Sequence, residues 1–313
     1  MMQPAMSEAH APAPRNPSST KARGASRGML LRGLRMVALT YLVWCGMLFA
    51  LQRSMIYLPD LAGRGMSEAE LGAIKGLERR RVAQDDGVRT EAFLLRAAAP
   101  DPLGTVVLFH GNAELIDHGL EDARRWNALG FHALLPEYRG YGRTPGSPSE
   151  RRIVADALAA IADAREVIAE GPLVLHGRSL GTGVAAQVAK RLAGAATRDP
   201  IAMRASLLVF ESPFTSIASF ARRYGVPSFI VCDPYRTDRA LATLDTPVLI
   251  LHARSDTVVP ISHGRALAAL AAHATLVELD GDHNSGISLT REYWDAVERA
   301  VNGAFRGTDQ PDR

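Results

Sequence analysis

Pro172-Leu173-Val174-Leu175-His176-Gly177-Arg178-Ser179-Leu180-Gly181-Thr182 decides how this chain folds. A short apolar run leads directly into Gly-x-Ser-x-Gly, and a helix-forming stretch opens near Thr182. Strand, sharp turn, helix is the order that holds a serine hydroxyl above the carboxyl end of a sheet, near a helix N-terminus. Gly177 and Gly181 flank the serine because so tight a turn leaves no room for side chains at its outer positions. The same pattern recurs at Gly24-Ala25-Ser26-Arg27-Gly28, but no apolar run precedes that copy and it is set aside.

Outward from the elbow, apolar runs at 105–109, 132–135, 207–210, 248–252 and 275–279 alternate with helical stretches at 150–169, 182–192, 263–272 and 291–304. In the last of these, Trp294, Val297, Val301 and Phe305 recur at spacings of three and four, a single buried stripe. Ahead of this alternation, 80–84 and 88–95 read as two strands joined at Asp86-Gly87. The pattern predicts an α/β fold: a mostly parallel sheet with helices on both faces.

An activated serine needs a base, and the base needs an acid to orient it. Asp256 follows the strand ending near His252. His283 follows the last strand, in Asp280-Gly281-Asp282-His283-Asn284. With Ser179, both fall at the carboxyl ends of strands, where open α/β sheets bind their ligands. The expected roles are Ser179 as nucleophile, His283 as general base and acid, and Asp256 as the group fixing the imidazole. Glu211, at the end of another strand, is an alternative acid, whereas Asp280 and Asp282 lie too close to His283 in sequence. An oxyanion requires two backbone N–H donors. Leu180 is expected to supply one and Asn112 the other, with Ala113 second, and Gly111 lets the backbone approach. His110 reads as a structural residue that holds this loop.

As a set, these residues resemble the α/β-hydrolase superfamily, most closely its serine-aminopeptidase and monoacylglycerol-lipase-like branch with small-cap, membrane-anchored members. The marks are Gln52-Arg53-Ser54-Met55-Ile56-Tyr57-Leu58-Pro59, His110-Gly111-Asn112-Ala113, Tyr138-Arg139-Gly140-Tyr141-Gly142-Arg143-Thr144, the elbow, Asp256-Thr257-Val258-Val259-Pro260 and Gly281-Asp282-His283-Asn284. Asp282 and Ala253 depart from the family's usual small residue and glycine, and neither removes a catalytic group. The resemblance implies hydrolysis through an acyl-enzyme and leaves the substrate open. It also implies that the Tyr-Arg-Gly-Tyr-Gly loop supports the site without reacting.

The expected substrate is an acyl ester or thioester, such as a lysophospholipid or monoacylglycerol. A serine aminopeptidase is the alternative, and it would need an acid for the substrate's ammonium, for which Glu114, Asp117 and Glu211 are the candidates. A non-catalytic interaction protein usually lacks a triad member, and none is lacking here. No cofactor is implied, and no His or Cys spacing suits a metal.

Ahead of the fold, residues 1–28 read as a disordered basic tail, and 36–51 carry no charge. With its flanks (29–53), this stretch is expected to be an uncleaved transmembrane signal-anchor. Leu48-Phe49-Ala50 disfavours cleavage. Trp44 and Tyr57 are expected at the membrane interfaces. Lys21, Arg23, Arg27, Arg32 and Arg35 precede the span, against Arg53 and Arg64 after it. That bias puts the N-terminus in the cytoplasm and the main domain across the membrane, in the periplasm if the source is bacterial. Residues 54–77 then connect to the hydrolase domain at 78–306, and 307–313 form a tail. The net charge of +3 comes from scattered arginines, so nucleic acid is not an expected partner. Cys45 and Cys232 are expected to stay unpaired with each other.

Overall fold

Each apolar run becomes a strand of one eight-stranded sheet. A computed structural model describes residues 18–168, 171–197 and 203–305. The first 17 residues of the expected tail and the tail at 307–313 lie outside the described residues. The strands are β1 (Leu77–Ala83), β2 (Arg89–Leu95), β3 (Gly104–Phe109), β4 (Phe131–Pro136), β5 (Leu173–Arg178), β6 (Leu207–Glu211), β7 (Val248–Ala253) and β8 (Ala274–Leu279). Their order across the sheet is β1-β2-β4-β3-β5-β6-β7-β8. Only the first two strands pair antiparallel, β1 with β2 and β2 with β4; all other neighbours are parallel. The chain therefore has the expected α/β-hydrolase fold.

The helices are α1 (Ser18–Ile56), α2 (Glu68–Gly72), α3 (Leu120–Ala128), α4 (Glu150–Arg165), α5 (Leu180–Ala196), α6 (Ile217–Ala221), α7 (Thr237–Leu241), α8 (Ser262–Leu270) and α9 (Arg291–Phe305). Because side chains alternate along a strand, β3, β5, β6 and β7 feed two separate cores. Val107, Phe109, Leu175, Phe210 and Ile250 pack with α4, α5 and α8. Val106, Leu108, Val174, Val209 and Leu249 pack with α3 and α9. In α9, Val297 and Val301 are buried while Trp294 and Phe305 pack at the edge, as the stripe predicts. The sequence reading does not mark α3, whose Leu120, Ala123 and Trp126 are buried among charged neighbours.

Residues 1–50 and 51–313 form two separate units. In the first, α1 begins at Ser18, inside the stretch read as tail. Lys21, Ala22, Arg23, Ala25 and Arg27 favour a helix and extend it backwards from the apolar run. Apart from half-buried Leu48, its large apolar side chains from Met29 to Phe49 are exposed. Among the described residues, one helix is long and apolar enough to cross a membrane, with a mean hydropathy of 1.8. In the second unit, the stretch expected as a connector carries α2: Ser67 and Glu70 form a capping box on it, and Leu71 is buried. Tyr57 also departs from its expected interfacial place. It is only 3% exposed, and its hydroxyl lies 3.1 Å from that of Tyr235. Cys45 and Cys232 are free.

Candidate active site

The elbow sits between β5 and α5, near the middle of the parallel strands. Ser179 adopts φ 49° and ψ −113°, a conformation that costs a side-chain-bearing residue roughly 1–3 kcal/mol. The neighbours enforce it. Ser179 N–H donates to the Glu211 carbonyl at 2.9 Å, and Thr182 donates to the Ser179 carbonyl through both N–H (3.0 Å) and hydroxyl (2.7 Å). A Cβ on Gly177 would lie 2.3 Å from the Gly181 carbonyl oxygen, and one on Gly181 would lie 2.0 Å from that of Phe109. Neither site admits a side chain without moving backbone.

His283 reaches Ser179 from the loop after β8: Nε2 lies 3.1 Å from Ser179 Oγ and Nδ1 lies 2.7 Å from Asp256 Oδ2. A carboxylate only accepts, so Nδ1 carries the proton and Nε2 is left to accept from the serine hydroxyl. Asp256 is fully buried, which alone would raise its pKa. The nearby His252 ring and hydrogen bonds from His283 and the Val259 N–H outweigh burial and hold the carboxyl well below its usual range. Val258 and Val259 N–H donate to Asp256 Oδ1 at 3.0 and 2.7 Å. The sequence reading passes over His252 as a strand end. Its ring is buried, with Nε2 2.8 Å from the Val259 carbonyl and 3.5 Å from Asp256 Oδ2. The four-residue spacing from His252 to Asp256 was the available signal.

The loop after β3 carries Gly111 and Asn112. His110 is buried beneath it, with Nδ1 2.7 Å from the Gly111 carbonyl and Nε2 2.8 Å from Glu137 Oε1. Both ring nitrogens face acceptors. Burial pulls the His110 pKa down, but the charge and hydrogen bond of Glu137 outweigh it and the net shift is upward. His110 thus has the loop-holding place expected of it. Tyr138 donates to the His110 carbonyl at 3.0 Å, and Tyr141 donates to Asn112 Oδ1 at 2.9 Å. Gly111 N–H donates to Glu114 Oε2 at 2.7 Å. Leu180 opens α5, so its N–H has no carbonyl one turn back.

The rival acids are placed elsewhere. Glu211 meets Arg178 Nε at 3.1 Å, Arg178 also binds Glu114 at 2.6 Å, and Glu211 Oε2 is buried without a partner. Burial pushes the Glu211 carboxyl up to about 7 and that of nearby Asp122 up to about 6. Asp117 is buried against Arg143 at 2.9 Å and accepts the Met66 N–H. Asp280 pairs with Arg254, and Asp282 caps its own loop at Asn284 N–H. Among the described residues no group of His, Cys, Asp or Glu has the arrangement of a metal site.

Set beside known proteins, residues 100–224 match the family described as serine aminopeptidase, S33. Over 188 residues the chain is 37% identical to a lysophosphatidylserine lipase, ABHD12, of Danio rerio, covering 54% of this chain and 47% of that protein. The chain thus spans about half the length of these lipase relatives. It is 31% identical over 275 residues to the alpha/beta hydrolase domain-containing protein WAV2 of Arabidopsis thaliana, covering 79% of this chain and 86% of that one. Among solved structures, an esterase of Pyrococcus furiosus superposes with a TM-score of 0.59 at 14% identity, over 78% of this chain and 96% of the esterase. Est1E of Butyrivibrio proteoclasticus, with ferulic acid bound, also gives 0.59 at 18% identity, over 71% and 99%.

Proposed function

The chain belongs to the α/β-hydrolase family, and on that premise we propose that it is a serine hydrolase of acyl esters or thioesters. The observation that carries the reading is the hydrogen-bonded line from Ser179 Oγ through His283 to Asp256. Ser179 Oγ attacks the acyl carbon as its proton passes to His283 Nε2, and the C–O or C–S bond of the leaving group then breaks. His283 returns the proton to the departing oxygen or sulfur, leaving an acyl-Ser179 ester. Water, deprotonated by the same nitrogen, hydrolyses that ester and restores the serine. Asn112 and Leu180 N–H are the proposed donors to the oxyanion.

Relatives named lysophosphatidylserine lipases put a lysophospholipid first among the proposed substrates. Monoacylglycerols and acyl thioesters follow. An aminopeptidase is favoured by the family description, but Glu114, Asp117 and Glu211 are each engaged by an arginine, which weighs against a free acid for an ammonium.

For topology, the proposal is a single-pass anchor with the N-terminus in the cytoplasm and the hydrolase unit outside, from the excess of basic residues ahead of the apolar run within α1. Protease added to intact spheroplasts should digest the hydrolase unit, and its protection would reject this orientation.

The chemistry is tested with a fluorophosphonate probe and a panel of lysophospholipids, monoacylglycerols, thioesters and aminoacyl amides. Ser179→Ala should abolish labelling and lower kcat on the order of 10⁶-fold. Labelling that survives Ser179→Ala would sink the reading, and turnover of aminoacyl amides alone would replace it with the aminopeptidase.

A further inference from the structure

Asn112 presents its side chain away from any role the chemistry gives it. Its Oδ1 accepts two hydrogen bonds at once, from the Leu58 N–H and from the Tyr141 hydroxyl, both at 2.9 Å. Leu58 N–H is itself shared, lying 3.0 Å from the Tyr141 oxygen. Three groups from three distant stretches of chain close a small ring around one amide oxygen.

The stretch that brings Leu58 there is itself pinned. Gln52 Oε1 accepts from Cys232 N–H at 2.7 Å and its Nε2 donates to the Ile230 carbonyl at 3.3 Å. Arg53 binds Asp233 at 3.0 Å, and Asp233 in turn accepts the Glu150 N–H at 3.0 Å. Tyr57 meets Tyr235, which is fully buried and held at φ 38°. So 52–57 is fastened to residues 230–235 at three points, and the next residue holds the loop after β3.

We propose, resting on the hydrolase reading above, that Tyr141 and the main chain of Leu58 are positioning groups. Through the Asn112 side chain they fix the loop whose N–H faces the developing oxyanion. The physical ground is distance sensitivity. An oxyanion donor works only at about 2.7–3.1 Å from where the charge appears, and a displacement of roughly 1 Å costs on the order of 10²-fold. His110 and Glu114 already hold Gly111 at its carbonyl and its N–H, and the amide of Asn112 is the handle by which the next residue is held. Tyr141 is then more than a packing aromatic of its loop.

The test uses the full chain in detergent, with Asn112→Ala, Tyr141→Phe and the double variant. Each is measured for kcat and KM on an ester from the panel, the rate of fluorophosphonate labelling, the pH profile and the melting temperature. Labelling reads the same donors, because the phosphonyl oxygen also gains charge as Ser179 attacks. Asn112→Ala is expected to lower kcat and the labelling rate about 10- to 100-fold. Tyr141→Phe should lower them about three- to tenfold, with KM and the pH midpoint unchanged. The double variant should be no worse than Asn112→Ala within about twofold, since both changes empty the same ring. General loosening of the fold would instead move KM and the melting temperature together. The inference is overturned if both single variants keep kcat and labelling within twofold of the parent, or if the double variant is fully additive. A parent chain that neither labels nor turns over any substrate removes the hydrolase reading itself and this inference with it. An active parent with indifferent variants removes only the inference.

Discussion

Glu211 and Asp256 stand at the ends of neighbouring parallel strands, both shut away from water, and their acidities are pushed in opposite directions. Asp256 accepts from His283 and two backbone N–H groups, with His252 close by, and stays charged far below the usual carboxylate range. Glu211 shares one arginine with Glu114, leaves an oxygen unpartnered, and is pushed up to about 7. Burial is common to both, so the number of donors separates them. On one side of the elbow lies an acid built to stay ionised beside an imidazole. On the other, three carboxyls, Glu114, Asp122 and Glu211, crowd around Arg178, and a cavity of about 50 Å³ lies among Glu114, Asp122, His176 and Arg178.

The largest effect expected from this contrast is on turnover. Asp256→Asn should lower kcat on the order of 10⁴-fold, because an amide facing Nδ1 favours the wrong tautomer. Glu211→Gln should cost less than about tenfold, since its carboxyl touches Arg178 and not His283. Steady-state kinetics of the two variants on one ester decide the matter. If the sizes are exchanged, Glu211 orients the histidine in the working enzyme and the contrast collapses.

A second effect falls on stability. Arg178→Met removes the cation that Glu114 and Glu211 share beside Asp122, and uncompensated buried charge of this kind costs about 3 kcal/mol. Urea unfolding at pH 8 should show that loss, and adding Glu211→Gln should recover part of it. A loss under about 1 kcal/mol would mean that water already screens the cluster.

The strands, the elbow and the loop places of Asp256 and His283 were legible because each rests on local chemistry. Apolar runs mark strands, and Gly177 and Gly181 mark a turn that admits no Cβ. Other features depend on contacts between distant residues, which no window of sequence contains. Tyr57 read as an interfacial aromatic because it follows an apolar segment. Its partner Tyr235 lies 178 residues away. Likewise α3 has too few apolar residues to stand out, and only packing on β4 and α9 reveals its buried face. His252 read only as the end of an apolar strand and not as a neighbour of Asp256. Asn112 was legible as a loop residue, but the bond from Leu58 to its side chain was not.

The smallest predicted effect is a slope of stability with pH, and it separates the two acids most directly. Glu211 has an ordinary pKa of 4.5 and is raised to about 7 when folded, so between those values the native chain holds a proton that the unfolded chain releases. Stability from this source is whole below pH 4.5 and is lost as pH rises through 7. Asp122, raised from 3.8 to about 6, adds to the loss in the lower part of that window. Asp256 works the other way. Its stabilisation is present above pH 3.8 and fades only as acid reaches its lowered folded pKa, outside the window. Histidines also contribute: the raised His110 loses stability above pH 6.5, while the lowered His176 loses it below. The readout is therefore the difference between variants. Glu211→Gln should flatten the fall in unfolding free energy between pH 4.5 and 8 by about 1–3 kcal/mol. Asp256→Asn should leave that slope as it is in the parent. Equal slopes in the parent and Glu211→Gln would mean that Glu211 is ionised in the folded chain throughout. The two acids would then differ in partners alone, and donor count would no longer account for their electrical states.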